Sequence, residues 1–230
     1  MTRAGRAPAS GHAPAPSSQL LEGNGVGLLR ERALATAIQG GLERLYQLDR
    51  VADIDAFVAP AAAGEREALM VRVAGDGAVE MSLRLPELAR GEFNVLSDSD
   101  LDPLCQLIEG VSHFVYLAAR AHEDRRTTQL ELEVQAEVDK YVVLVTALGA
   151  WGEPASARLR GRLYEDVSYV DAAGTETGDR YRIANHVAAK FVRRLEQSYS
   201  RIGSVRHVHG ELRRFHRYGQ EEKLRAADGG

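Results

Sequence analysis

The sequence predicts an α+β protein, in which a small antiparallel sheet of about three strands with one helix is followed by a mostly helical C-terminal half. Two observations favour this class. Strand-like runs flank a Gly-Asp-Gly turn in the first half, and apolar residues recur at helical spacing through most of the second. We therefore predict three segments. They are a disordered tail over residues 1–19, an α+β subdomain with a β-hairpin over 20–99, and a helical subdomain with basic C-terminal helices over 100–226.

Composition limits the class of protein further. The chain has 230 residues, 44% of them apolar, which is enough for one sizeable core or two small subdomains. Its only cysteine, Cys105, excludes an internal disulfide and lies in an apolar run, where a free thiol acts as a small hydrophobe. This usage suits a reducing cytoplasm. No run of about 18 apolar residues occurs, so we expect no membrane-spanning helix. We predict a cytoplasmic protein without a cofactor.

The patterns that predict β-strands lie within the first hundred residues. The N-terminal tail is rich in Ala, Pro, Ser and Gly, and the glycines of EGNGVG read as a flexible leader. A helix follows at about 27–48. In the run ALMVRVAGDGAVEMSLRLP, two strand-like runs flank an Asp-Gly turn, which is typical of a hairpin, and in the second run apolar and polar residues alternate. The segment DIDAFVAP, 53–60, is a candidate third strand that ends at Pro60.

The second half carries the helix signals. A long helix is predicted over 100–123, with Asp100 as the N-cap and Pro103 in the first turn. A further helix covers the run from about residue 179 and stops at Gly203, and a shorter basic helix follows, interrupted by Gly219. Residues 157–171 fit either a strand or a short helix.

The stretch TQLELEVQAEVDK, residues 128–140, is the most ambiguous. Its polar residues alternate two apart, as on a strand with one wet face. However, Thr128 and Glu131 form a capping box, and an apolar stripe at helical spacing continues past the alternating part. We favour a helix over 128–148 that forms a helical hairpin with 100–123.

Two pairs of side chains on this hairpin, one Glu/His and one Glu/Glu, are candidate catalytic or metal ligands. On helices, Glu109 lies one turn from His113, and Glu133 lies one turn from Glu137. Facing inward, the four would form a carboxylate-rich site like those of helix bundles. The Glu-x-x-His spacing of di-iron bundles is absent, so a solvated face or salt bridges are favoured. An enzyme using this Glu/His set, with or without metal, is the alternative function.

Charge is divided unevenly along the chain. Residues 1–179 hold 17 basic and 28 acidic side chains, a net charge of −11, whereas 180–226 hold 12 basic and 4 acidic, a net charge of +8. Interleaved aromatic residues make the basic region suitable for nucleic acid as well as for acidic proteins. Neutralisation by the acidic remainder of the chain is the competing interpretation.

The first functional hypothesis is therefore a non-enzymatic cytoplasmic binding or adaptor protein. Its basic C-terminal helices would engage an acidic protein partner or nucleic acid, and no membrane. The predicted binding residues are Arg193, Arg194, Arg206, Arg213, Arg214, Arg217 and Lys223.

Overall fold

A computed structural model describes residues 28–62, 65–73, 79–85, 88 and 94–228. The helices among them are α1 (Leu29–Tyr46), α2 (Asp98–His122), α3 (Gln129–Ala147), α4 (Pro154–Tyr164), α5 (Glu176–Ile202), α6 (Val205–Arg217) and α7 (Gln220–Asp228). The strands are β1 (Val58–Pro60), β2 (Ala68–Val73) and β3 (Val79–Leu85). The α+β prediction is confirmed. The predicted tail, the EGNGVG leader and the Gly-Asp-Gly turn lie outside the described residues.

The sheet is mixed rather than antiparallel, which corrects one detail of the predicted fold. Strands β2 and β3 pair antiparallel, as the hairpin signal predicts, but β1 pairs parallel to β3 and gives the order β1-β3-β2. The segment 53–60 is also only partly extended, because its first half forms a 3-10 turn, Ile54–Ala56. Pro60 ends β1, and an edge strand tolerates its missing N–H.

Helix α2 packs across the sheet at a glycine, Gly110. A Cβ atom on Gly110 would lie 2.7 Å from Cδ1 of Leu83 in β3, so glycine permits this close approach. The alternation predicted for β3 is confirmed, since Leu83 and Leu85 are fully buried and Arg84 is exposed. Helix α2 begins two residues earlier than predicted. Asp100 is therefore not the N-cap, and its carboxylate instead accepts a hydrogen bond from the Asn94 N–H.

Helix α3 lies at the centre of the molecule, and the helix interpretation of residues 128–148 is confirmed. Its N-cap is Thr128, whose hydroxyl accepts a hydrogen bond from the Glu131 N–H, as the capping box predicts. The helix packs on α2 on one side and on α5 on another. Most of its residues are buried, including Glu131, Glu133 and Asp139, so the expectation of a solvated face is wrong, whereas the salt bridges expected as its alternative are present at Lys140.

The remaining helices close the second half. The ambiguous segment 157–171 is mainly helical, because α4 runs to Tyr164. Gly203 ends α5 in the left-handed conformation with φ 65°, and α6 and α7 meet near Gly219, as predicted. One buried apolar cluster joins residues on both sides of the boundary predicted near residue 100, among them Leu42, Leu83 and Val138. Within the described part of the chain, no helix is long and apolar enough to span a bilayer.

Candidate functional site

The polar residues of α3 divide between two faces of the helix. Residues two apart on an α-helix are separated by about 200°, so the alternating pattern places successive members on opposite sides. Glu131, Gln135 and Asp139 point to one side, whereas Glu133 and Glu137 point to the other. The spacing that resembled a strand thus supplies two separate buried clusters.

The first cluster is a hydrogen-bonded network between α1, α2, α3 and the C-terminal helices. Its members are Tyr46, Ser112, Tyr116, Arg120, Glu131, Gln135, Asp139 and Lys223. Arg120 donates to Glu131 over 2.8 Å and to the Tyr218 carbonyl over 2.7 Å. Ser112 donates to Asp139 over 2.6 Å, and Tyr46 donates to the same carboxylate. These contacts hold α2, α3 and the α6–α7 corner together.

Lys223, predicted to bind a partner, belongs to this network. Its side chain is fully buried, and its Nζ donates to Gln135 Oε1 over 2.6 Å and to the Phe215 carbonyl over 2.8 Å. Burial lowers the pKa of Lys223 well below its usual range. The residue therefore anchors α7 to α3 instead of presenting a charge at the surface.

The second cluster, here called the Glu/His cluster, contains all four candidate ligands predicted from the sequence. One ligand atom from each of Glu109, His113 and Glu133 lies within 4.8 Å of the others, a grouping suited to a metal ion. Glu137 turns to Lys140, whose Nζ lies 2.9 Å from Glu137 Oε1 and 2.6 Å from Glu109 Oε2. Three of the four candidate residues therefore lie close together, while the fourth forms an ion pair beside them.

Residues from other elements complete the Glu/His cluster, and no sequence pattern pointed to them. Arg180 of α5 places its Nε 3.9 Å from Glu133 Oε1. Glu67, just before β2, lies close to Gly110 of α2 and interacts electrostatically with Glu109 and Lys140. Both approach through the tertiary fold, and no local spacing relates them to the helical hairpin.

Burial dominates the electrostatics of the Glu/His cluster. Desolvation and the neighbouring Glu109 charge raise the pKa of Glu133 to about 8, and the same two causes raise that of Glu67 to about 8. Burial also lowers the pKa of His113. For Glu109 burial again raises the pKa, but the nearby basic groups, chiefly Lys140 together with His113 and Arg66, outweigh it and hold the pKa below its usual range.

The predicted basic residues fall into two groups. Arg193 lies 3.4 Å from Glu165, and Arg213 donates to the Leu45 carbonyl over 2.7 Å, so these two make internal contacts. In contrast, no side-chain ion pair or hydrogen bond to a described residue is formed by Arg194, Arg206, Arg214 or Arg217. Internal neutralisation therefore explains only part of the basic region.

A surface groove of about 540 Å³ lies between α5, α6 and α7. Its lining comprises Phe191, Arg194, Glu211, Arg214, Tyr218, Glu222, Arg225 and Ala226. Each of the three helices contributes one arginine to this basic groove. Arg194 also stacks over Phe191, with its guanidinium carbon 5.5 Å from the ring centre. Arg225 was not among the predicted binding residues, although it falls in the same basic region of the sequence.

Comparisons of this chain with protein-family models, with curated proteins and with solved structures find no match of any of the three kinds.

Proposed function

We propose that this chain is a non-enzymatic cytoplasmic binding protein whose basic groove receives an acidic segment of a protein partner. The observation that carries the proposal is the convergence of Arg194, Arg214 and Arg225 from three helices on one groove. Unlike Arg193 or Arg180, none of the three forms an ion pair with another described residue. Guanidinium groups match carboxylates through parallel hydrogen bonds, so an acidic side chain can pair with each of them.

The lining of the groove favours an acidic protein over nucleic acid. Glu211 and Glu222 also line it, and their charges would repel a continuous phosphate backbone. Phe191 is buried and stacks on Phe215 at 3.9 Å, so it cannot offer its ring to a base. A peptide in which acidic residues are separated by other side chains can pair with the arginines of the groove and avoid its two glutamates.

Two further observations support the proposal. The large negative charge of residues 1–179 disfavours a polyanion at long range, whereas a short acidic segment contacts only the groove. The lone thiol of Cys105 is consistent with a reducing compartment, and burial raises its pKa to about 12, which keeps it unreactive.

The proposal is tested with a fluorescein-labelled peptide of alternating Glu and Ala, followed by anisotropy at about 50 mM and about 200 mM salt. We expect saturable binding that weakens with salt. The double variant Arg214→Ala with Arg225→Ala should bind roughly tenfold more weakly, as expected for the loss of two surface ion pairs. The matched control is Arg126→Ala with Arg158→Ala, which removes the same charge from exposed sites outside the groove.

Three outcomes would overturn the proposal. The first is the absence of saturable peptide binding at low salt. The second is an equal loss of affinity in both double variants, which would indicate a nonspecific charge effect. The third is tighter binding of a mixed-sequence single-stranded RNA or DNA with a steep salt dependence, which would replace the acidic protein by nucleic acid.

A further inference from the structure

The Glu/His cluster has the dimensions of a metal site. His113 Nε2 and Glu133 Oε2 are 3.6 Å apart, beyond hydrogen-bond range. Two donors bound to one tetrahedral ion at about 2.0–2.1 Å lie roughly 3.3–3.4 Å from each other. The third donor, on Glu109, lies within 4.8 Å of both. Small side-chain rotations would therefore bring all three into the first coordination sphere of one ion.

Some polar atoms of this cluster also lack hydrogen-bond partners within the described part of the chain. Glu133 is only 8% exposed, yet its carboxylate forms no hydrogen bond with a described residue. His113 Nε2 and Arg180 Nε are both buried, and neither has a hydrogen-bond partner in the described part of the chain. A buried polar atom without a partner costs about 1–3 kcal/mol of stability. Several such atoms in one cluster therefore indicate that a ligand binds there.

The balance of charge in the cluster indicates the sign of that ligand. Four carboxyl groups, those of Glu67, Glu109, Glu133 and Glu137, face three cationic side chains, Lys140, Arg180 and Arg66. The formal excess of negative charge favours a cation over an anion as the ligand. Lys140 occupies Glu109 Oε2, and the second oxygen of that carboxylate can bind a metal at the same time.

We propose that Glu109, His113 and Glu133 form a binding site for one divalent transition-metal ion such as Zn²⁺. One imidazole and two carboxylates are a ligand set suited to zinc, and also to manganese or ferrous iron. Magnesium and calcium prefer oxygen ligands only and six or more of them, which this set does not provide. The proposal is independent of the basic groove, which is formed by other residues on other helices.

The experiment uses the full-length chain, stripped with a chelator and titrated with zinc chloride in a calorimeter. We expect one ion per chain, with no comparable heat from magnesium chloride. Glu133→Gln keeps the shape of the side chain but removes a charged ligand, and it should weaken zinc at least tenfold, as should His113→Ala. Far-UV circular dichroism of each metal-free variant checks that the fold persists.

The control variant is His207→Ala. His207 pairs with Glu211 at 2.9 Å on the surface of α6 and offers a histidine and a carboxylate one turn apart, as His113 and Glu109 do. We expect zinc binding to be unchanged in this variant. If zinc binds only at the surface pair, zinc binding will be lost in His207→Ala, and the proposal fails.

Cobalt(II) supplies a second readout that a purely structural role of His113 would not affect. Cobalt in a tetrahedral or five-coordinate protein site should absorb visibly, and Glu133→Gln should alter or abolish that spectrum even if the stability is unchanged. The proposal is overturned if the wild-type chain binds neither zinc nor cobalt, or if Glu133→Gln leaves both the affinity and the spectrum as they are. Failure here leaves the peptide-binding proposal intact, because the groove is assayed without metal.

Discussion

The two polar clusters on opposite faces of α3 resemble each other in composition but differ in how their groups are satisfied. Both are buried, both join α3 to α2, and both contain acidic and cationic side chains. In the hydrogen-bonded network, Glu131 accepts from Tyr116 and Arg120 at 2.6 and 2.8 Å. In the Glu/His cluster, Glu133 lies 3.6 Å from His113 Nε2 and 3.9 Å from Arg180 Nε, both beyond hydrogen-bond range.

The difference separates a structural role from a candidate functional one. In the network each member forms at least one hydrogen bond, although Arg120 Nε has no partner among the described residues, and these bonds offset most of the desolvation of its charges and fix the packing of the helices. In the Glu/His cluster, Lys140 pairs with Glu109 and Glu137, but Glu133 forms no hydrogen bond with a described residue and His113 Nε2 has no partner among them, so this cost is not fully offset within the protein. Since the two lie on one helix at similar depth, burial alone does not explain the contrast. The geometry of the partners does.

The largest effect is expected from breaking the network at Arg120. The variant Arg120→Met leaves Glu131 as a buried carboxylate without its cation and leaves the Tyr218 carbonyl with only the 3.3 Å contact from the Tyr116 hydroxyl. We expect a loss of about 3–5 kcal/mol in the free energy of unfolding, measured by urea denaturation. Adding Glu131→Leu should recover part of it, because two apolar side chains replace both charges. A double variant less stable than the sum of the single changes would contradict this account.

Parts of this network were accessible to sequence reasoning, and parts were not. The capping box at Thr128 and Glu131 and the apolar stripe of α3 depend on local spacing, so both predicted the helix correctly. The parallel pairing of β1 with β3 depends on which of the two hairpin strands β1 packs beside. No local sequence pattern encodes that choice. Similarly, Lys223 sits in a basic run that looks solvated, and only tertiary packing buries it against Phe215.

A smaller effect is expected in the Glu/His cluster itself. Lys140→Met removes the ammonium that lies between Glu109 and Glu137. Burial already raises the pKa of Glu137, so this carboxyl can take up a proton and limit the damage. We expect a loss of about 1–3 kcal/mol without metal, and recovery on adding zinc, which would supply the missing positive charge. Thermal unfolding with and without zinc measures both, and a loss that zinc does not reduce would argue against the metal site.

A pH-dependent effect distinguishes the network further. Burial raises the pKa of Asp139 to about 6 from its ordinary value of 3.8, against the hydrogen bonds from Ser112, Tyr46 and Gln135. Because the folded state holds this proton more tightly, the stabilising contribution is full below pH 3.8 and is lost as the pH rises through about 6.

The variant Asp139→Asn removes this titration. Its stability relative to the parent should improve by about 2 kcal/mol between pH 4 and pH 7. The parent and the variant share every other titrating group, including Lys223, so the difference isolates Asp139. Urea denaturation at several pH values gives the comparison, and a difference that does not change with pH would show that the carboxylate is better solvated than its burial indicates.

The sequence predicted the candidate sites with uneven success for a related reason. Glu109, His113 and Glu133 were identified because helical spacing alone placed them on facing sides of a hairpin. The basic region was found from its charge, but charge does not reveal which arginines are used internally. Arg213 binds a backbone carbonyl of α1, while Arg214, its immediate neighbour, faces the groove. One residue along a helix is enough to separate the two roles.

The smallest effect on stability is expected in the groove, and that small effect is itself informative. Arg214 and Arg225 form no ion pair with a described residue. The double variant Arg214→Ala with Arg225→Ala should therefore change the free energy of unfolding by no more than about 0.5 kcal/mol. Arg213→Ala, one residue away, should cost about 1 kcal/mol, because it removes the bond to the Leu45 carbonyl. Urea denaturation of the two variants tests the contrast. If the double groove variant is as destabilised as Arg213→Ala, Arg214 and Arg225 stabilise the fold. If its stability is unchanged but peptide binding is lost, these two arginines serve recognition and not folding.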